Sequence, residues 1–304
     1  MSAGVRSLGA VGSLIFLGGL LMPAPATGQT LAAKPVTSAW NPPRLPDGQP
    51  EVQGMWASVI DAVFTPAVAD DAPRRANARP RPPEPSRIVD PPDHQVPYQT
   101  WAREKQRHIQ ANINDPAEEE FVDPQVRCLP GGAVRSAFWH DIQILQYPGY
   151  VIFEYEGNHV FRIVPLDGRP HASESIKLWM GDSRGHWEGT TLVVDITNNN
   201  SKGRLSRQGD FASENLHLTE RYTFVDAKNL HYEATFEDPT VYNRPWKIAA
   251  DFVSGIFPNG LPKPPGSKPG IFMDTPPGYE QWEEACHEGE HDAALSGGSL
   301  RPKK

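Results

Sequence analysis

From about residue 137 onward the chain alternates apolar and polar positions in short runs. Period-two alternation over four to eight residues is the mark of a half-buried strand. The runs fall at 142–147, 150–155, 159–166, 176–180, 191–197, 216–225, 230–238 and 245–253. Turn chemistry separates them: Pro148-Gly149, Glu156-Gly157-Asn158, Asp167-Gly168-Arg169-Pro170, the stretch 182–189, the stretch 198–203 and the stretch 226–229. Short strands joined this way, with no βαβ rhythm, predict an all-β domain. The expected form is an antiparallel barrel or β-sandwich of about eight strands, with a jelly-roll sandwich as the runner-up. Upstream, 51–65 holds a plausible first strand around Trp56, Val59, Ile60, Val63 and Phe64. A short helix is expected near 98–112, ended by Asp115-Pro116.

Proline divides the rest. The chain has 32 prolines, about twice the ordinary share. Nine lie in 66–97, and proline forbids helix interiors and removes backbone donors, so that stretch and 258–278 are read as proline-rich loops. Residues 27–50 read as an extended arm, and 279–295 as a short helix or turn. The expected division is therefore a leader over 1–26 and one β domain over 27–304.

The leader is read from its own pattern. Arg6 is the sole charge before Lys34; an apolar and small-residue stretch runs over 8–22; Ala24-Pro25-Ala26 supplies small residues at a cleavage spacing. This is the composition of a secretory signal, and its apolar part is shorter than the roughly 20 residues that span a bilayer. The expected location is periplasmic or secreted, with a mature start at Thr27 and no membrane attachment after cleavage. The two cysteines, Cys128 and Cys286, form no Cys-x-x-Cys pair. In an oxidising compartment a disulfide between them is the simplest reading, and one reactive thiol is the alternative.

Charge changes the picture by exclusion. The net charge is −8, and no cluster of Lys and Arg marks a phosphate-binding surface, so nucleic acid is not an expected partner. No Gly-x-Gly-x-x-Gly or Gly-Lys-Ser/Thr is present, so no nucleotide cofactor is expected. No His-x-His or cysteine cluster is present; His287-Glu288-Gly289-Glu290-His291 has the His-Glu-x-x-His spacing, and no metal site is assigned. Gly181-Asp182-Ser183-Arg184-Gly185 has the Gly-x-Ser-x-Gly spacing, but Ser183 lacks the strand–turn–helix context of a serine hydrolase. The partner expected is a small molecule, and the oligomeric state is open.

Two resemblances add to this. Gly54-Met55-Trp56 resembles the Gly-x-Trp of lipocalin and wider calycin barrels, whose Trp plugs the closed end. The runs Pro165-Leu166-Asp167-Gly168-Arg169-Pro170-His171, Gly181-Asp182-Ser183-Arg184-Gly185-His186-Trp187-Glu188-Gly189 and Ala285-Cys286-His287-Glu288-Gly289 are similar to a widespread group of uncharacterised secreted bacterial proteins. That second resemblance carries no activity with it.

The candidate chemistry is carboxylate and imidazole. Leu216, Leu218, Tyr222 and Phe224 alternate onto one face, and Glu220 shares it. A carboxylate turned into an apolar interior either finds an ion-pair partner or has its pKa raised. Glu220 is thus either a general acid–base group or half of a structural pair with an arginine. Glu154 shares a face with Tyr150 and Ile152 and is read either as a site residue or as a satisfied strand-end carboxylate. His159 and Arg162 lie on opposite faces of the next strand, so one of them at most enters a cavity. In 182–189, Arg184 can clamp an anion and His186 can shuttle a proton, while Trp187 either lines a pocket mouth or caps the core. Arg221 is a second anion clamp, and His171, His217 and His287 are further candidates. Three functions survive: a cofactor-free acid–base enzyme (lyase, isomerase or hydrolase) acting on a small organic, aromatic or sugar-like molecule; a carrier barrel without catalysis; and a structural envelope protein.

Overall fold

A computed structural model describes residues 40–58, 86–113, 116–138, 142–157 and 160–254. The leader 1–26, most of the proline-rich stretch 66–97, the loop 258–278, His159, Cys286 and His287 lie outside the described residues.

The chain is all-β, as the alternation predicts. Strands β1 (Gly54–Ser58), β2 (Ile88–Asp90), β3 (Ile142–Tyr147), β4 (Tyr150–Tyr155), β5 (Val160–Pro165), β6 (Asp182–Glu188), β7 (Thr191–Thr197), β8 (His217–Phe224), β9 (Asn229–Glu237) and β10 (Trp246–Ser254) form one sheet. Two helices, α1 (Thr100–Asn112) and α2 (Ala133–Ser136), accompany them. The sheet order is β5-β4-β3-β1-β10-β9-β8-β7-β6, with β2 beside the first half of β10. Every neighbouring pair on that path is antiparallel. The sheet curls until its two ends meet, a nearly closed barrel. Eight antiparallel steps separate β5 from β6, so the two ends point the same way. They meet through side chains: a Cβ on Gly185 of β6 would lie 2.6 Å from Val164 Cγ1 and 2.9 Å from Leu166 Cδ2. Glycine is needed there for that close approach.

The inward positions build the core. In β8 the buried residues are Leu218, Glu220, Tyr222 and Phe224, and in β9 they are Leu230, Tyr232, Ala234 and Phe236. Trp246, Tyr222, Tyr232, Phe153, Phe224, Phe236 and Phe252 are completely enclosed. They interlock as ring pairs: Phe236 stacks on Trp246 at 4.1 Å, and Tyr222 meets both Phe153 and Tyr232 at 4.9 Å. Such pairs contribute about 0.5–1.5 kcal/mol each beyond the area they bury. Trp56 of the Gly-x-Trp run is also buried; its Nε1 donates to the Val52 carbonyl, and its ring meets Phe224 edge-on at 5.3 Å.

Two expectations about elements are corrected. Residues 182–189 are not a hairpin tip: 182–188 form β6, and the turn is Gly189-Thr190, with Gly189 at φ +65°. Gly185 and the polar composition disguise the strand, whose Asp182, Arg184, His186 and Glu188 all face outward. The run 176–180 is not a strand; its only sheet-like contact is a bridge from Leu178 to Asn199. It belongs to the long connection from β5 to β6. The helix expected at 98–112 is α1, which seats Ala102, Gln106 and Ile109 against the segment around Gln208 and Gly209.

Candidate functional site

Among the buried charges of the described residues, one constellation lies inside the barrel. Arg162 of β5 and Glu220 of β8 point inward and pair at 2.5 Å, with 2% and 0% side-chain exposure. The second Glu220 oxygen accepts from the Tyr232 hydroxyl at 2.8 Å. Arg162 also donates to the Tyr222 hydroxyl at 2.9 Å and lies over the Phe153 ring. Burial works against the Arg162 charge, but Glu220 and the phenols of Tyr155 and Tyr222 outweigh it, so the guanidinium is held even more firmly protonated than usual. Burial raises the phenols of Tyr155, Tyr222 and Tyr232. Among the described residues, Arg162 Nε and the Tyr155 hydroxyl find no hydrogen-bond partner. Of the two readings of Glu220, the ion pair is the one seen. Of the pair His159 and Arg162, it is Arg162 that enters the interior.

The second constellation covers the outer face of β6–β9. Cross-strand register puts Arg184, Asp195, Thr219 and Thr235 in one row. His186, Val193, Arg221 and Glu233 form the next row. Asp182 and Thr197 form a pair at the opposite side of the Arg184 row, as do His217 and Glu237. The connection from β5 to β6 lies against this face and adds His171. Its Nδ1 lies 2.9 Å from Asp182 and its Nε2 3.0 Å from Asp195. The other Asp195 oxygen meets His217 Nε2, and His217 Nδ1 lies 3.1 Å from Glu237. Arg184 donates to Asp182 at 2.7 Å and to the Pro170 carbonyl at 3.0 Å. The result is a continuous line: Arg184, Asp182, His171, Asp195, His217, Glu237.

A neutral imidazole has one N–H, so which nitrogen of each ring donates depends on its tautomer. Burial opposes ionisation of Asp182, but the Ala172 amide, His171 and Arg184 outweigh it and hold its carboxyl below the ordinary value. Asp195 is likewise lowered: His171 and His217 more than offset its burial. The side chains run in a line rather than converging on a point. Among the described residues no group of three or more His, Cys, Asp or Glu is placed to hold a metal ion.

The predicted residues therefore divide. His171 and Arg184 come together through Asp182. His186 and Arg221 come together through Glu188, at 3.2 and 2.7 Å, on the exposed part of the same face. Arg221 holds the Glu188 carboxyl below its ordinary value, with His186 adding to the effect. Trp187 turns inward, packs on Phe224 at 6.0 Å and donates to Gln49. Glu154 stands on the outer face of β4, away from Glu220, while Val151, Phe153 and Tyr155 take the inside. β4 buries its odd-numbered positions, so Glu154 keeps the face of Tyr150 and Ile152 and does not join Glu220 in the interior. Asp195 and Glu237 were not singled out in the sequence, although a lone Asp in Leu-Val-Val-Asp-Ile is a visible signal. Cys128 caps the 3₁₀ turn Pro124–Arg127 at φ +57°, and no free cysteine is found among the described residues.

No protein-family model, curated protein or solved structure matches this chain.

Proposed function

We propose that this protein is an exported enzyme that moves protons on a small organic molecule without a nucleotide cofactor, and that its reactive groups are His171, Asp195 and His217. One observation carries the reading: two partly exposed imidazoles share the single carboxylate of Asp195, with 24%, 44% and 45% of their respective side chains accessible. Imidazoles change charge near neutral pH, and a shared carboxylate orients both rings and passes charge between them. The interior pair is a poorer candidate, because Glu220 is sealed from solvent and already neutralised. A leader over 1–26, a mature chain beginning at Thr27 and a Cys128–Cys286 bridge belong to the same proposal. Mass spectrometry of protein recovered from the periplasm, with and without reductant, tests all three.

The catalytic reading is tested by screening the mature protein against a metabolite library for thermal stabilisation, since a ligand raises the melting point only if it prefers the native form. Stabilising compounds are then followed for turnover. Asp195→Asn should lower the rate roughly 10²–10⁴-fold, the usual share of general acid–base catalysis, and shift the melting point by only a few degrees. Turnover at the wild-type rate in that variant would refute it.

A second reading, a non-catalytic envelope protein, is favoured by the filled interior and by the pairing of opposite charges across the outer face. It predicts that no small molecule shifts the melting point at millimolar concentration.

A further inference from the structure

We infer that the outer face of β3, β4 and β5 is a docking surface for a second copy of this chain, packed face to face about a two-fold axis. The inference stands apart from the catalytic reading, whose residues lie on the outer face of β6 to β9.

Alternation puts Leu145 and Tyr147 of β3, Tyr150 and Ile152 of β4, and Phe161 and Ile163 of β5 on the outside of the barrel. Register gathers them: Leu145, Ile152 and Ile163 form one row, and Tyr147 stands beside Tyr150. The next row is Gln143, Glu154 and Phe161, so Glu154 is the single charge among the outward side chains of these three strands. By contrast, each outer row of β6 to β9 holds at least two ionisable groups. Phe161 is 62% exposed, Tyr147 54% and Ile163 46%. A contiguous exposed apolar patch with a polar rim marks an interaction site. Here Glu154 stands at one end, and at the other Arg169, paired with Asp167, donates to the Tyr150 hydroxyl.

Shape and charge select the occupant. One sheet face fits another, packed about 10 Å away. An added strand fits poorly, because the free edge of β5 already lies against β6 at Gly185. A bilayer fits poorly too: the rim carries Glu154 and the neutral Asp167–Arg169 pair rather than an excess of Lys and Arg, and the net charge is −8. Taking about 200 Å² for a whole large side chain, the three exposed residues offer about 300 Å², and their half-buried neighbours raise this to about 400 Å². A homodimer interface is roughly 65% apolar, so this core implies about 600 Å² per partner and about 1,200 Å² in total, the lower limit of a standard interface. The dimer is therefore concentration-dependent rather than permanent. Running the strands of the two copies antiparallel keeps the two Glu154 carboxylates at opposite ends of the interface.

The test is sedimentation velocity of the full mature chain, with reductant present, from about 1 μM to about 500 μM, a range that brackets a weak interface of this size. The mean sedimentation coefficient should rise from monomer toward dimer. Phe161→Asp and Ile163→Asp should each raise the dimer dissociation constant about 10-fold or more. Both side chains are exposed in the monomer, so at the lowest concentration the melting point should stay within about one degree of wild type. A wild-type protein that is monomeric at every concentration would overturn the inference, and binding of that monomer to phosphatidylglycerol vesicles would give the patch to a bilayer instead. A dimer undiminished in both variants would overturn it by placing the interface elsewhere. A variant that loses stability or does not fold would overturn it by placing the patch against the protein's own chain.

Discussion

Replacing Glu220 by Gln leaves the Arg162 guanidinium at 2% exposure, with its carboxylate gone and its Nε already lacking a partner among the described residues. Breaking a buried ion pair from one side costs about 3–5 kcal/mol, because the surviving charge stays desolvated. For a domain of this size each kcal/mol moves the melting point about 2–4 °C, so the loss should be roughly 6–20 °C. Arg162→Met should cost a similar amount by stranding Glu220. The double variant Arg162→Met/Glu220→Leu is the informative one. It removes both desolvation penalties, a gain of about 1–4 kcal/mol when the replacements pack well. It also leaves the Tyr222 and Tyr232 hydroxyls without their partners, at about 1–3 kcal/mol each. Taken at the middle of each range the two effects leave the double variant about 1.5 kcal/mol below wild type and above either single. Changing both tyrosines to Phe in that background should recover part of the remainder. The assay is urea unfolding followed by tryptophan fluorescence. A double variant as unstable as the sum of its singles, or a Glu220→Gln protein within 1 kcal/mol of wild type, would refute this account of the interior.

Other outcomes follow from single contacts. Gly185→Ala should destabilise by about 1–3 kcal/mol through overpacking against Val164 and Leu166, with hydrogen exchange rising first in β5 and β6. Asp123 is buried, which opposes its ionisation, but its two-pronged contact with Arg135 outweighs this and lowers its carboxyl. Its contribution is therefore present above the unfolded-state value near 3.9 and lost as pH falls through the lower folded value. In acid melting curves, Asp123→Asn should lack that portion of the loss below about pH 4. Asp210 has the opposite sign: burial raises it, and the hydroxyls of Ser206 and Tyr98 only partly compensate. Stability should fall as pH rises from the unfolded carboxyl value through the raised folded one, and Asp210→Asn should flatten that fall in a series of melts.

The strands were largely legible because most of them alternate cleanly: 142–147, 150–155 and 191–197 are read at their observed limits. β6 was hidden by its own location. Its inward positions are Ser183, Gly185 and Trp187, too small or too polar to show an apolar stripe, because the opposite edge of the barrel presses against Gly185. β2 was lost inside a proline-rich stretch. For the candidate site, alternation correctly turned Glu220 inward, but pairing with Arg162 depends on barrel closure across 58 positions of sequence, which no local pattern reports. The outer line was half visible. His171 and Arg184 stood in recognisable runs, yet Asp195 and Glu237 gain meaning only from cross-strand register.

The shared direction of β5 and β6 makes this an odd-membered ring. Nine strands of alternating sense cannot all be matched with opposite neighbours, just as an odd cycle cannot be coloured in two alternating shades. The mismatch must fall somewhere, and here it falls where two aliphatic side chains press on a bare backbone. That line is the natural place for the barrel to part on heating. A single further strand, antiparallel to both neighbours, would make the ring even and allow its ladder to run unbroken.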